Sequence, residues 1–209
     1  MRRLDPALLE TARRSLRRRD AVLGAVIRRV GPCGMHPRGD PYRSLLRSVV
    51  YQQLAGAAAA AIAGRLRSHF GGRYPRPELL LAARDAELRG VGLSRQKAAT
   101  LRAVAAAFAD GTLSNRALRR MGDDEVVAAL TRIKGIGDWT AHMILMFSLG
   151  SPDVLPVGDY GVRKGARHLY GLPALPKRVE LEALGECWRP YRSVASWYLW
   201  RSVDVAPPA

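Results

Sequence analysis

Leu130-Thr131-Arg132-Ile133-Lys134-Gly135-Ile136-Gly137-Asp138-Trp139-Thr140-Ala141 is the stretch on which the reading of this 209-residue chain turns. Apolar Leu130 stands three positions before Ile133, Gly-Ile-Gly follows Lys134, and Met143, Ile144, Leu145 and Met146 form an apolar run behind it. The pattern predicts a short helix ending near Ile133, a tight hairpin, and a second helix starting directly after Gly137. Gly135 and Gly137 permit backbone conformations that other residues resist. The first amides of the second helix have no intrahelical partner, and the helix dipole makes that end positive. Glycines let a phosphate come close to such amides. A lone Gly-x-Gly is the ordinary cap of an αα-turn. The full helix–hairpin–helix pattern points instead to a grip on a DNA backbone that does not read sequence.

The composition agrees with a polyanionic partner. Lys plus Arg is 34 and Asp plus Glu is 18, a formal charge of +16. Such a charge attracts nucleic acid, an acidic membrane surface or an acidic protein, and repels its own compact state. GC-rich coding DNA also raises Arg and Ala, so charge alone does not choose among them. The two cysteines, Cys33 and Cys187, lie far apart and form neither metal-ligand spacing nor a disulfide framework. The start, Met1-Arg2-Arg3-Leu4-Asp5-Pro6, is charged and lacks the apolar core of a leader. No apolar run is long enough for a bilayer. These features predict a soluble intracellular protein with no membrane partner; it is further expected to be a monomer, cytoplasmic and nucleoid-associated in a bacterium.

Away from the hairpin the chain reads as helices broken by short turns, with almost no strand-type alternation. Leu8, Leu9, Ala12 and Leu16 form one stripe, and Val22, Leu23, Val26, Ile27 and Val30 another, within residues 5–30. Asp40-Pro41 reads as an N-cap followed by Pro at the first helical position. An Ala-rich helix is expected from about Gly56 to Phe70, short helices from Pro77 to Arg89, and a long helix from Arg95 to Ala109. A short helix from Gly122 to Leu130 is expected to be capped by Asp123 or Asp124. After the Pro-rich loop Ser151–Gly158, helices are expected over 160–169, 177–188 and 190–203. The expected class is all-α.

The hairpin, the Gly/Pro-rich loop and the aspartate in Leu155-Pro156-Val157-Gly158-Asp159-Tyr160 together resemble the helix–hairpin–helix DNA glycosylase superfamily. Asp159 lies 22 residues past Gly137, close to the spacing in that superfamily. The resemblance spans roughly 40–203, including Ser48-Val49-Val50-Tyr51-Gln52-Gln53-Leu54 and Trp188-Arg189-Pro190-Tyr191-Arg192-Ser193. It is strongest to the DNA-3-methyladenine glycosylase II type, which repairs alkylated bases. The resemblance implies a two-lobed helical fold without an N-terminal β-domain and with its active site in the interlobe cleft. The lobes are expected at about 1–40 plus 150–209 and at about 41–149, with the helix–hairpin–helix at 123–147.

It also implies chemistry. Two cysteines cannot ligate the iron–sulfur cluster of other branches. Members that also cut the backbone carry a lysine two residues after the second hairpin glycine; here that residue is Trp139, so base excision without strand cutting is expected. A cationic alkylpurine departs without a general acid, so one carboxylate suffices to stabilise the sugar cation or orient water. Asp159 is the catalytic candidate; it also reads as the N-cap of the helix starting at Tyr160, and both roles can hold together. Asp138 and Asp153 are weaker candidates. Trp139, Tyr160, Tyr191, Met143, His142 and Gln53 match positions at the base pocket, and Gln52 adjoins them. Trp197 and Trp200 read either as residues supporting the pocket from behind or, more simply, as core. Lys134, Gly135, Gly137, Thr140, Arg163 and Lys164 are the expected backbone contacts. Leu93, Ser94 and Arg95 form the wedge loop. A structural Na, K or Mg ion on the carbonyls of Thr131, Ile133 and Ile136 is implied, and no cofactor for the chemistry. The expected partner is double-stranded DNA with damaged bases. The alternatives are a non-catalytic DNA-binding module and the same fold acting on deaminated or oxidised bases.

Overall fold

Asp20 shows how this sequence makes its corners. It ends α1 (Pro6–Arg19) in extended backbone and caps α2 (Ala21–Val30), its Oδ1 accepting the Leu23 N–H at 2.9 Å. The stripe over residues 5–30 therefore forms two helices, with Leu8, Leu9, Ala12, Leu16, Leu23, Val26 and Ile27 all buried. Each such Leu, Val or Ile side chain contributes about 1.5–3 kcal/mol by leaving water.

The computed structural model describes residues 3–37, 39–54 and 56–203. The charged start at Met1 and Arg2 lies outside them. Among the described residues there is no strand, and the class is all-α. No helix is long and apolar enough to cross a membrane among those residues.

The chain divides into two units, one comprising 1–38 with 145–209 and the other 39–144. The second unit holds α3 (Pro41–Tyr51), α4 (Gly56–His69), α5 (Pro77–Ala82), α6 (Asp85–Gly90), α7 (Arg95–Ala109), α8 (Asn115–Arg120), α9 (Asp123–Thr131) and α10 (Asp138–Met143). Asp40 caps α3 through Arg43 N–H at 3.1 Å, with Pro41 in the first turn. Helix α7 packs against α3 and α5. Leu45, Leu46, Val49, Val50, Leu66, Leu80, Leu101 and Val104 fill this core. The first unit adds to α1 and α2 a π-helical segment (Ile144–Leu149, begun on the last residue of the other unit), α11 (Tyr160–Tyr170), α12 (Arg178–Gly185), a 3-10 turn (Glu186–Trp188) and α13 (Arg192–Ser202). Its core is built around Trp188, Tyr198 and Trp200.

One helix is unannounced by the sequence, and three local expectations are corrected. Helix α8, which periodicity does not announce, forms because Ser114 Oγ takes the Ala117 N–H at 3.1 Å. The cap of α9 is Gly122, whose N–H donates to Glu125 Oε2 at 2.7 Å, rather than Asp123 or Asp124. The apolar run behind the hairpin is α-helical only to Met143, then π-helical, with amides reaching five residues back. The helices expected over 177–188 and 190–203 are shorter, running over Arg178–Gly185 and Arg192–Ser202, with the 3-10 turn and Pro190 between them.

Candidate active site

In the second unit, α9 ends at Thr131, earlier than Ile133, and α10 begins at Asp138. Between them Ile133 and Ile136 are buried and anchor the turn, with Ile136 N–H donating to Ile133 O at 3.0 Å. Lys134, Gly135 and Gly137 are exposed. The apolar residues thus hold the hairpin down while its glycines and lysine face solvent.

The two glycines do different work. Gly135 has φ +93°, and a Cβ there would lie 2.0 Å from Thr100 Oγ1. Only glycine fits. Gly137 is extended at φ −106°, with nothing within 4 Å of a Cβ. The expectation that both glycines are needed for unusual backbone is corrected for Gly137, which any residue could occupy without strain. What Gly137 contributes is open space at the N-terminus of α10, where no side chain caps the helix.

Gln52 braces the turn from α3. Its Nε2 donates to Gly135 O at 3.2 Å and to Thr140 Oγ1 at 3.1 Å. Thr140 is only 2 % exposed, and its hydroxyl accepts this internal tie. Gln53 is exposed and sits at φ +55°, a backbone region costly for a residue with a side chain. Trp139 and His142 are half-buried, while Met143 is buried. In the wedge loop, Leu93 is 4 % exposed and belongs to the core. Ser94 caps α7 through Lys97 N–H at 3.2 Å. The side chain projecting to solvent from this trio's long members is Arg95, and Leu93 is corrected from wedge to anchor. Lys97 donates from Nζ to Val50 O at 2.7 Å, and burial lowers its pKa.

In the first unit a pinned loop delivers Asp159. Ser151 N–H donates to Leu145 O at 2.8 Å, closing the π-helical segment. Ser193 Oγ donates to Ser151 O at 2.7 Å and accepts from Val154 N–H at 2.9 Å. Asp153 takes a bidentate pair from Arg192, at 2.8 and 3.0 Å, and a further bond from Arg189 at 3.0 Å. Asp153 is thus a structural clamp. Asp159 N–H donates to Pro156 O at 2.8 Å. The Asp159 carboxylate is 7 % exposed and caps α11, Oδ1 accepting from Val162 N–H at 2.8 Å.

The same Oδ1 accepts the indole N–H of Trp200 at 2.7 Å. Sequence reasoning places Trp200 in the core and misses this bond; only the packing of α13 against α11 makes it. Trp197 lies against Gly34 and edge-on to Tyr198, as a core residue does. Tyr160 is 64 % exposed and Tyr191 half-buried. Lys164 is exposed, but Arg163 is half-buried with Nε donating to Pro176 O at 2.9 Å. That ties Arg163 to the loop before α12 through one of its five N–H donors. Burial pushes the Cys33 thiol up to about 12, and burial together with Asp20 raises that of Cys187.

Known proteins are similar to this chain over most of its length. The family model for the HhH-GPD superfamily base excision DNA repair proteins matches residues 46–190. The DNA-3-methyladenine glycosylase 1 of Schizosaccharomyces pombe is 37 % identical over 169 residues, covering 80 % of this chain and 74 % of its own. The structure of S. pombe Mag1, a 3-methyladenine DNA glycosylase in complex with abasic DNA, superposes with a TM-score of 0.88 at 33 % identity, over 94 % of this chain and 98 % of that one. A DNA-3-methyladenine glycosidase from Bacillus halodurans gives a TM-score of 0.81 at 37 % identity, over 97 % and 92 %. The chain belongs to the HhH-GPD superfamily of base excision DNA repair proteins.

Proposed function

We propose that the chain is a monofunctional DNA glycosylase that hydrolyses the N-glycosidic bond of alkylated purines of the 3-methyladenine and 7-methylguanine kind. The observation that carries this reading is Asp159: a carboxylate 7 % exposed, held on a rigid helix cap, in a chain of this superfamily. The relatives named above for 3-methyladenine support the substrate class.

The hairpin holds one strand through the amides at Gly135, Gly137 and the start of α10, with Lys134 and Lys164 adding charge. Sequence is not read by such contacts. The damaged base leaves the stack to be reached. A cationic base is drawn to aromatic faces by about 0.5–2 kcal/mol, for which Trp139, Tyr160 and Tyr191 are the candidates. The base is already positively charged, so it departs without a proton donor. Asp159 stabilises the oxocarbenium-like sugar or orients the attacking water. Trp139 has no amine, so no Schiff base forms and the product is an abasic site in an intact strand. Arg95 is the exposed candidate for filling the vacated stack.

The carbonyls of Thr131, Ile133 and Ile136 are neutral oxygen donors, suited to a weakly held structural cation. Ile133 O already accepts one hydrogen bond, and a carbonyl has two lone pairs. The chemistry takes no step through that ion.

The test is base release from duplexes carrying defined lesions. Wild-type protein is expected to free 3-methyladenine and 7-methylguanine without strand scission, and Asp159→Asn to lose release while keeping DNA affinity. Undiminished release by Asp159→Asn would remove Asp159 from the chemistry. Binding without release of any lesion would make the chain a non-catalytic module.

A further inference from the structure

The first unit builds the same device twice. Asp20 and Asp159 are both buried helix caps, and both accept an indole N–H. At Asp20 the bonds divide: Oδ1 takes Leu23 N–H at 2.9 Å, while Oδ2 takes Trp188 Nε1–H at 2.8 Å and the Tyr170 hydroxyl. Both oxygens are tied to the fold. At Asp159 the cap amide and Trp200 Nε1–H converge on Oδ1, at 2.8 and 2.7 Å.

The approach of Trp200 is built in at some cost. A Cβ at Gly161 would lie 2.7 Å from Trp200 Cδ1, 2.9 Å from its Nε1 and 3.2 Å from Asp159 Oδ1. One turn on, a Cβ at Gly165 would lie 2.4 Å from Leu199 O. Two glycines four apart on α11 thus strip that face so that α13 can come close. Phe147 of the π-helical segment, with ring centroids 5.8 Å apart, packs on the indole from another side. We infer that Trp200 is a positioning residue that fixes the rotamer of Asp159, and that Gly161 is the specificity of the fold that admits it. Two donors on one oxygen define the plane and tilt of the carboxylate, which a single cap bond does not.

This inference rests on the catalytic reading of Asp159, and the experiment separates the two. Single-turnover release from methylated duplex DNA is measured for Trp200→Phe, Gly161→Ala, Asp159→Asn and, as internal control, Trp188→Phe. A folding defect lowers the amplitude of release; a misplaced carboxylate lowers the rate constant of whatever fraction is folded. Trp200→Phe and Gly161→Ala are expected to lose ~10- to 100-fold in rate constant, with DNA affinity unchanged. Trp188→Phe should lose thermal stability and amplitude but keep its rate constant. An unchanged rate constant in Trp200→Phe beside an inactive Asp159→Asn overturns the positioning role alone. An active Asp159→Asn overturns the catalytic reading beneath it.

A different observation carries a second inference. Arg14, Arg17 and Arg18 of α1 and Arg28 of α2 line one surface hollow of about 240 Å³. Gly24, one turn before Arg28, lets α2 rest on the backbone of Arg17, where a Cβ would lie 3.0 Å from the Arg17 carbonyl oxygen. Arginines in the last turns of α1 and α2 suit the helix dipoles, but that does not explain four guanidinium groups around one hollow. Glu10 approaches Arg14 at 3.8 Å and is engaged more closely by Arg13 at 2.8 Å. We propose that this hollow takes phosphates of the DNA backbone as a second, sequence-independent contact. Replacing all four by Gln is expected to flatten the slope of log Kd against log salt by about 0.9 for each phosphate lost, leaving the single-turnover rate at saturation unchanged. An unaltered slope overturns it.

Discussion

At the scale of single residues, Gly135 and Gly137 look alike in sequence and differ in physics. Gly135 is required by its φ of +93° and by Thr100, 2.0 Å from where a Cβ would stand. Gly135→Ala is expected to destabilise the second unit by about 2–4 kcal/mol through left-handed strain and overpacking, read as a lower midpoint in urea. Gly137 has open space around it. Gly137→Ala is expected to change stability by less than about 1 kcal/mol and to weaken DNA binding ~10-fold, about 1.4 kcal/mol. Equal losses of stability in the two variants would contradict this division. Gln52 belongs to the same scale: the pair Gln52-Gln53 is visible in the sequence, but only the fold shows that Gln52 braces the hairpin while Gln53 faces outward.

At the scale of elements, the loop 151–158 has no regular structure and is nevertheless fixed. Its stiffness comes from α13, through Ser193 and the Arg192–Asp153 pair. Both side chains of that pair are largely covered. Arg192→Ala is expected to cost about 1–3 kcal/mol and to slow base release, because the loop sets where Asp159 sits. A melting curve and a single-turnover assay check both. The α11–α13 contact is the second case. Gly165→Ala would drive a methyl into the Leu199 carbonyl, and a loss of about 1–3 kcal/mol is expected from overpacking, again read by urea denaturation.

At the scale of the whole molecule, charge and buried phenols dominate. Given the proposed DNA substrate, the formal charge of +16 is expected to make affinity fall steeply with salt. Burial raises the pKa of Tyr42, Tyr170 and Tyr198 above the ordinary 10.0, with Asp20 adding to the effect at Tyr170. In the unfolded chain these phenols ionise near 10, whereas the folded protein keeps them neutral. Their contribution is therefore complete below about pH 10 and is lost as the pH rises beyond it. The melting temperature is expected to hold between about pH 7 and 9 and to drop above 10. Tyrosinate absorbance from these three phenols should appear together with the loss of helical circular dichroism. Absorbance from most of the seven tyrosines well before unfolding would show these phenols to be accessible.

The sequence by itself determined the helical class, most helix starts, the hairpin and the aspartate beyond it. Those features are local: a Gly-Ile-Gly turn, an Asp-Pro cap and a 3.6-residue stripe are set by neighbours a few positions apart. The tertiary structure alone decided what each site residue is free to do. Trp200 meets Asp159 across 41 residues of chain, Gln52 meets Thr140 across 88, and Arg163 donates to Pro176. Leu93 is withdrawn into the core. Such pairings depend on how helices close on one another, where a missing Cβ at Gly161 or Gly165 admits a neighbour, and no local pattern encodes that distance. Asp159 is legible as a cap from its own sequence; the indole that holds it becomes visible only when α13 is packed against α11.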